Sequence, residues 1–174
     1  MLDSKITAFS ITNASKEDGP AVYEIVKKSH SLDLNSCYCY LLLCTHFDKF
    51  CLIAKVDKEA VGFVAAYPHP HCADTLFVWQ IAVDPRFQNL GIGTDLLQRL
   101  VLLAAENNLS YIETTITPSN KASFTLFKKI SEKYGADCRE SVYFPSSLFK
   151  GDHEEERLLR IGPIKKEGWN NENI

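Results

Sequence analysis

The chain has 174 residues, 45% hydrophobic and 24% charged, with a formal net charge of -3. That length suits one domain with a core large enough to need no staples, and the composition is ordinary for a globular protein. Weak acidity without a basic stripe argues against a nucleic-acid partner; no run reaches the roughly 18 apolar residues of a membrane-spanning helix, and the amino terminus lacks the apolar core of a secretory signal.

Thr7, Phe9 and Ile11 alternate with polar or small residues and predict a first strand. Ser15-Lys16-Glu17-Asp18 has the form of a capping start and predicts a helix to about Lys28, with Val22, Ile25 and Val26 on its buried side. Residues 32–43 open with loop-forming types and end apolar, which predicts a loop entering a second helix through about Phe47. Strands are expected at 50–56 and 60–67 across a turn at Asp57-Lys58-Glu59. A Pro-rich loop over 68–74 leads into a strand over 75–83. The next helix, 91–107, carries Leu96, Leu97, Leu100, Val101, Leu103 and Ala104 at helical spacing. A strand follows at 109–116, a helix at 120–134 after the punctuation of Pro118, and short strands at 142–144 and 158–164. No repeat or low-complexity linker interrupts the series, so a single domain over 1–174 is expected, with a loose tail over about 165–174.

Six cysteines, Cys37, Cys39, Cys44, Cys51, Cys72 and Cys138, show no Cys-x-x-Cys spacing. Without an export signal they are expected reduced and mostly buried, in a cytoplasmic protein. The glycosylation-like triplets at Asn13 and Asn108 then read as chance. Pro68-His69-Pro70-His71-Cys72 has metal-binding residue types, but the set is too small to predict a metal site.

The most informative stretch joins the strand ending at Val83 to the helix that follows. Gln88-Asn89-Leu90-Gly91-Ile92-Gly93 has the form Gln-x-x-Gly-x-Gly. Gly91 and Gly93 permit backbone angles and a close ligand approach that a Cβ would penalise. Amides from about Leu90 to Thr94 then stand at a helix N-terminus, where donors and macrodipole favour an anion such as phosphate. No Gly-Lys-Ser/Thr follows, so this is not a Walker A loop, and Gly-x-Gly-x-x-Gly is absent. The order β-α-α-β-β-β-α-β-α-β-β is α/β around a mixed sheet, with the loop at the carboxyl end of a central strand.

Together with Val83-Asp84-Pro85, this loop resembles the pyrophosphate-binding loop of the GNAT acyltransferase superfamily, whose ligand is acetyl-coenzyme A. The element order also resembles the GNAT fold, which implies a mixed, mostly antiparallel sheet flanked by helices. Further blocks narrow the likeness. They are Leu32-Asp33-Leu34-Asn35-Ser36, Tyr38-x-Tyr40-Leu41-Leu42-Leu43, Thr45-His46-Phe47, Gly62-Phe63-Val64, residues 76–83, Glu113-Thr114-Thr115-Ile116-Thr117-Pro118, His153-Glu154-x-Glu156 and Arg160-Ile161-Gly162-Pro163. They resemble the L-2,4-diaminobutyrate acetyltransferases of ectoine biosynthesis over nearly the whole chain. The resemblance implies acetyl transfer from acetyl-CoA to the γ-amine of diaminobutyrate, in a homodimer; no metal is expected.

It also implies roles for residues. Gln88, Asn89, Leu90, Gly91, Ile92, Gly93 and Thr94 would hold the pyrophosphate. Backbone groups of Ile81, Ala82 and Val83, where GNAT strands splay, would pair with pantetheine and stabilise the tetrahedral oxyanion. Asn120 stands where the superfamily often has a cofactor-contacting Asn, and is equally a good helix cap. Seven residues on, many GNAT enzymes have a Tyr that protonates the leaving thiolate; here it is Phe127, which has no proton to give. The acid stays open, with Tyr134 one helical stretch further.

The acceptor carries one carboxylate and two ammonium groups, one of which must lose a proton before attack. Asp33, Asn35 and Tyr38 form one candidate acceptor segment, against a reading of cap and core packing. Trp79 would wall the amine pocket or belong to the core, and Thr115 is chosen over Thr114 as the strand residue facing the site. His153 and Glu156, in the acidic run 151–156, join Asp33 as candidates for holding or deprotonating an ammonium, against a solvated charged face. No placed nucleophile is apparent, so direct attack in a ternary complex is expected. A GNAT enzyme for another small diamine or amino acid is the alternative, as is a non-catalytic acyl-CoA sensor, the latter suggested by Phe127.

Overall fold

A computed structural model describes residues 8–29 and 31–165. Residues 1–7, His30 and 166–174 lie outside the described residues; they include Thr7 of the expected first strand and all of the expected loose tail but Lys165. The elements run β1 (Ser10–Asn13), α1 (Gly19–Ser29), α2 (Cys37–His46), β2 (Cys51–Val56), β3 (Glu59–Pro68), β4 (Thr75–Val83), α3 (Ile92–Glu106), β5 (Tyr111–Ile116), α4 (Lys121–Lys133), β6 (Cys138–Phe144) and β7 (Glu156–Ile161). The seven strands form one sheet in the order β1-β2-β3-β4-β5-β7-β6. The β1–β2, β2–β3, β5–β7 and β6–β7 ladders are antiparallel, and β4–β5 is parallel.

Differences from expectation are local and have causes. β1 starts at Ser10, so Phe9 precedes it and Ile11 lies within it. The first helix is preceded by a 3-10 turn, Lys16–Asp18. There the Asp18 carboxylate accepts from the Ser15 N–H at 2.9 Å and pairs with Lys55 at 2.6 Å. β6 begins at Cys138, four residues before the expected start at 142, because Cys-Arg-Glu-Ser carries no apolar alternation. It is an edge strand, exposed after Cys138, and its register comes from pairing with β7.

Two compact units are distinguished. The first takes the chain through Tyr67 together with Gln80–Leu100. Its core is built from Val22, Ile25 and Val26 of α1, Tyr40 and Leu43 of α2, the buried residues of β2 and β3, and Ile92, Leu96, Leu97 and Leu100 of α3. Gly62 on β3 sits under α3: a Cβ there would lie 3.1 Å from Ile92 Cγ2 and 3.3 Å from the Ala82 carbonyl oxygen. The second unit takes Pro68–Trp79 and the chain from Val101. It buries Leu76, Val78, Ile112, Ile116, Phe127, Ile130, Leu159 and Ile161. Glu113 is buried there too, paired with Arg160, whose guanidinium also reaches Thr75 at 3.2 Å and lies over the Tyr111 ring.

Candidate active site

After β4 the chain turns at Asp84 into a 3-10 turn, Pro85–Phe87, before α3 begins at Ile92. Asp84 holds the turn. Its carboxylate accepts from the Arg86 backbone N–H at 3.0 Å, from Arg86 Nε at 3.1 Å and Nη2 at 3.0 Å, and from Lys28 Nζ at 3.2 Å. Its own N–H donates to the Val61 carbonyl at 2.8 Å, and Arg86 continues to Glu59 at 2.6 Å. The Arg86 hydrogen bonds outweigh burial and, with Lys28, hold the Asp84 pKa at about 2.

Beyond the turn, Asn89 and Gly91 have φ of 63° and 85°. At Gly91 the left-handed backbone is the reason for glycine, since nothing lies within 4 Å of a Cβ built there. The first helical bond of α3 runs from the Asp95 N–H to the Gly91 carbonyl at 3.0 Å. The amides of Ile92, Gly93 and Thr94 therefore lead the helix without an intrahelical acceptor. Gln88, Asn89 and Leu90 are exposed, and Gln88 Nε2 donates back to the Val83 carbonyl at 3.3 Å. An open turn, leading amides and the positive end of a 15-residue helix fit a pyrophosphate. Ile81 and Val83 are half-buried and Ala82 is buried. The β4–β5 register ends at Val78↔Thr114, while β4 itself continues to Val83.

The segment before α2 is held by side chains distant in sequence. Ser36 caps α2, its Oγ accepting from the Cys39 N–H at 3.3 Å. Asp33 is therefore not the cap, and Tyr38, 67% exposed, is not core. Asn35 N–H donates to Tyr40 Oη at 3.3 Å, and Tyr40 O–H donates to Gln80 Oε1 at 3.2 Å. Gln80 Nε2 donates to the Asp33 carbonyl at 3.0 Å, and Asn35 Nδ2 to the same carbonyl at 3.4 Å. Burial pushes the Tyr40 pKa up, so its hydroxyl stays protonated and able to donate. Trp79, the preceding residue on β4, is half-buried.

In the second unit, Thr114 is buried and Thr115 half-buried, opposite Leu158 in the β5–β7 ladder. Asn120 caps α4, accepting from the Ser123 N–H at 3.1 Å. Phe127 is buried, and Tyr134 ends the helix half-buried, its pKa raised by that burial. Near Asn120 a cavity of about 230 Å³ is lined by Pro118, Lys121, Phe124, Glu140 and Arg157, among others. Arg157 bonds Glu140 at 2.8 Å and Glu155 at 2.7 Å, so the acidic run is not wholly a solvated face. His153 stacks on Phe149 with centroids 4.0 Å apart, and its Nδ1 lies 2.6 Å from the Glu154 carbonyl. A carbonyl only accepts, so Nδ1 carries the proton donated there. Glu156 is half-buried at the start of β7, opposite Phe144.

The first unit contains Asp33, Asn35 and the anchors of the turn before α3, while Thr115, Asn120, His153 and Glu156 belong to the second. Sequence reasoning passed over Tyr40, Gln80, Asp84 and Lys28 as site-building residues. The one sign available was strand alternation at Trp79 and Gln80, which sends them to opposite faces. Among the described residues, no group of three or more His, Cys, Asp or Glu is placed to hold a metal ion, and no helix is long and apolar enough to cross a membrane.

The acetyltransferase (GNAT) family matches residues 19–131. The chain is 43% identical over 157 residues to the L-2,4-diaminobutyric acid acetyltransferase of Shouchella clausii (strain KSM-K16), covering 90% of this chain and 88% of that one. It is 45% identical over 151 residues to the enzyme of the same name from Marinococcus halophilus, covering 86% and 87%. Among solved structures, diaminobutyrate acetyltransferase EctA from Paenibacillus lautus, in complex with its substrate L-2,4-diaminobutyric acid and coenzyme A, superposes with a TM-score of 0.87 at 37% identity, over 91% of this chain and 97% of that one. Ard1 from Thermoplasma volcanium, 21% identical over 90% of this chain and 99% of that one, shares the fold with a TM-score of 0.74. The chain belongs to the acetyltransferase (GNAT) family and, within it, to the L-2,4-diaminobutyric acid acetyltransferases.

Proposed function

We propose that this chain transfers the acetyl group of acetyl-CoA to the γ-amine of L-2,4-diaminobutyrate, giving N-γ-acetyl-2,4-diaminobutyrate for ectoine biosynthesis. The likeness to EctA, whose complex contains diaminobutyric acid and coenzyme A, carries the reading. In the proposed reaction the ammonium first gives one proton to a base. The neutral γ-amine then attacks the thioester carbon directly, and a C–N bond forms as the C–S bond breaks. The coenzyme A thiolate leaves, its charge balanced by the second proton that the nitrogen sheds. Acetyl-CoA supplies the activated acyl group. The residues named for the pyrophosphate, Gln88 to Thr94, suit it through the leading amides of α3 and the open backbone at Gly91. Backbone groups of Ile81, Ala82 and Val83 are proposed for pantetheine and the oxyanion, with Asn120 as a further cofactor contact beside its capping role. Phe127 enters that set as the packed residue at the superfamily's proton-donor position.

Asp33, with Asn35 and Tyr38, is proposed to receive one ammonium group. His153 and Glu156 are proposed to hold or deprotonate the other, with Trp79 and Thr115 lining the acceptor. His153 Nδ1 donates to the Glu154 carbonyl, and an imidazole neutral with its proton there would have Nε2 as the basic atom, which supports its candidacy as base. We further propose one N-acetyltransferase domain, because the family match includes residues of both compact units. A homodimer is supported by four exposed apolar residues on and after the edge strand β6, Val142, Tyr143, Phe144 and Leu148. Six cysteines without a disulfide support a cytoplasmic setting.

The test is coenzyme A release with diaminobutyrate, ornithine, lysine and a polyamine side by side, followed by NMR of the product. Preferred turnover of diaminobutyrate with acetyl on the γ-nitrogen is expected. Preference for another amine would overturn the substrate. Acetyl-CoA binding with no turnover across the panel would identify a sensor instead.

A further inference from the structure

Two buried side chains, one on α2 and one on β4, grip the backbone of the Asp33 segment at two points. Tyr40, fully buried, takes the Asn35 N–H at 3.3 Å and donates its own proton to Gln80 Oε1 at 3.2 Å. Gln80, 7% exposed, spends its amide on the other backbone group, the Asp33 carbonyl, at 3.0 Å. Each donor in this chain meets an acceptor, and reversing the Gln80 amide would turn its oxygen toward the Asp33 carbonyl, so only one orientation satisfies both ends. The relay starts and ends two residues apart on a segment that lies outside any helix or strand. Aromatic packing does not require the hydroxyl: the Tyr40 ring makes edge contacts with Tyr23 and Phe63, both at 6.4 Å. Nor does the strand require an amide at position 80, since the β4 ladder is made by backbone groups.

We propose that Tyr40 and Gln80 are positioning residues that set the amine affinity by fixing where the Asp33 carboxylate is presented, an inference that rests on reading Asp33 as an acceptor ligand. Gln80 immediately precedes Ile81, the first of the β4 residues assigned to the acetyl donor. One strand segment therefore holds the acceptor loop with a side chain and offers backbone groups to the donor at the next residue. A carboxylate free to wander would still attract a cation but would bind it in many poses, so the loss falls on acceptor KM more than on kcat.

Tyr40→Phe removes one oxygen and keeps the ring; Gln80→Met keeps volume and removes both ends of the amide. Each is expected to raise the KM for diaminobutyrate about 3- to 10-fold, the loss of one or two buried hydrogen bonds, with kcat within about 2-fold and acetyl-CoA KM unchanged. Amide exchange at Asn35 should accelerate in Tyr40→Phe. Asp33→Asn, alone and combined with Tyr40→Phe, completes a cycle: if Tyr40 acts through that carboxylate, removing the hydroxyl costs little once the charge is gone. Parental acceptor KM in both single variants, while Asp33→Asn raises it, overturns the positioning role and leaves the reading of Asp33 intact. Additive effects in the cycle, or lower thermal stability with no KM change, also overturn it. An Asp33→Asn variant of parental acceptor KM removes the ligand itself, and the inference fails with it. Gln80→Met carries the test if Tyr40→Phe does not fold.

Discussion

Asp84 offers the sharpest test of how the proposed phosphate loop is held. Replacing it with Asn keeps the shape but puts an NH₂ where one carboxylate oxygen now accepts from Lys28 at 3.2 Å and Arg86 Nη2 at 3.0 Å. Donors then face donors. In the native protein the Asp84 pKa lies at about 2 against an ordinary 3.8, a gap worth about 2 kcal/mol of folding stability. The carboxylate is 2% exposed but its partners, Lys28 and Arg86, are 48% and 54% exposed, so we take roughly 1–2 kcal/mol as the realised share. Because the folded value is depressed, this stabilisation is complete above the ordinary 3.8 and is lost as pH falls through about 2. For a chain of 174 residues the Asp84→Asn variant should melt about 2–8 °C below the parent at pH 7. The difference should shrink at pH 3, where the unfolded parent is already largely protonated. Calorimetry of both proteins between pH 7 and pH 3 measures this, and steady-state kinetics should show acetyl-CoA KM up roughly 3- to 10-fold as the loop entrance loosens. A melting difference of constant size across that range would refute the reasoning, because the cost would then come from packing rather than charge.

Gly91→Ala forces an L-residue to φ 85° with open space around its Cβ; about 1–2 kcal/mol of strain should appear as higher acetyl-CoA KM with amine KM little changed, and unaltered acetyl-CoA binding would count against the loop assignment. With Phe127 lacking a proton, Tyr134→Phe should leave turnover within a few-fold, whereas a loss of about 10²-fold would make Tyr134 the acid. Leu148→Glu with Val142→Glu should yield monomers in sedimentation analysis if β6 is the dimer face, and an unchanged assembly would move the interface elsewhere.

What the sequence disclosed follows from the range over which each feature is determined. The strand expected at 75–83 is β4, Thr75–Val83, because Leu76, Phe77, Val78, Ile81, Ala82 and Val83 declare an apolar strand within a few residues. The helix with Leu96, Leu97 and Leu100 was equally legible, and so was the turn whose glycine needs a left-handed backbone. β6 was half-missed because an exposed edge strand has no buried face to impose alternation. The supports of the site were missed for another reason. Gln80 meets Tyr40 across 40 residues and Asp33 across 47, and Asp84 meets Lys28 across 56. Such bonds leave no spacing to read: Gln80 looks like an ordinary strand residue and Tyr40 like an ordinary helix one until the fold joins them.

The relay from Asn35 through Tyr40 and Gln80 to Asp33 contains no formal charge, two amides, a hydroxyl and a carbonyl. Dissolved salt therefore acts on the two sides of amine binding differently. Between 0.1 M and 1 M the Debye length falls from about 10 Å to 3 Å, which dulls the pull of an acidic chain on an acceptor whose two ammonium groups outnumber its one carboxylate. It does little to a buried hydrogen bond between neutral groups. In concentrated electrolyte the long-range attraction fades while the loop that carries Asp33 keeps its shape, so, with Asp33 as the proposed ligand, an acceptor that arrives less often would still find the carboxylate in the same place.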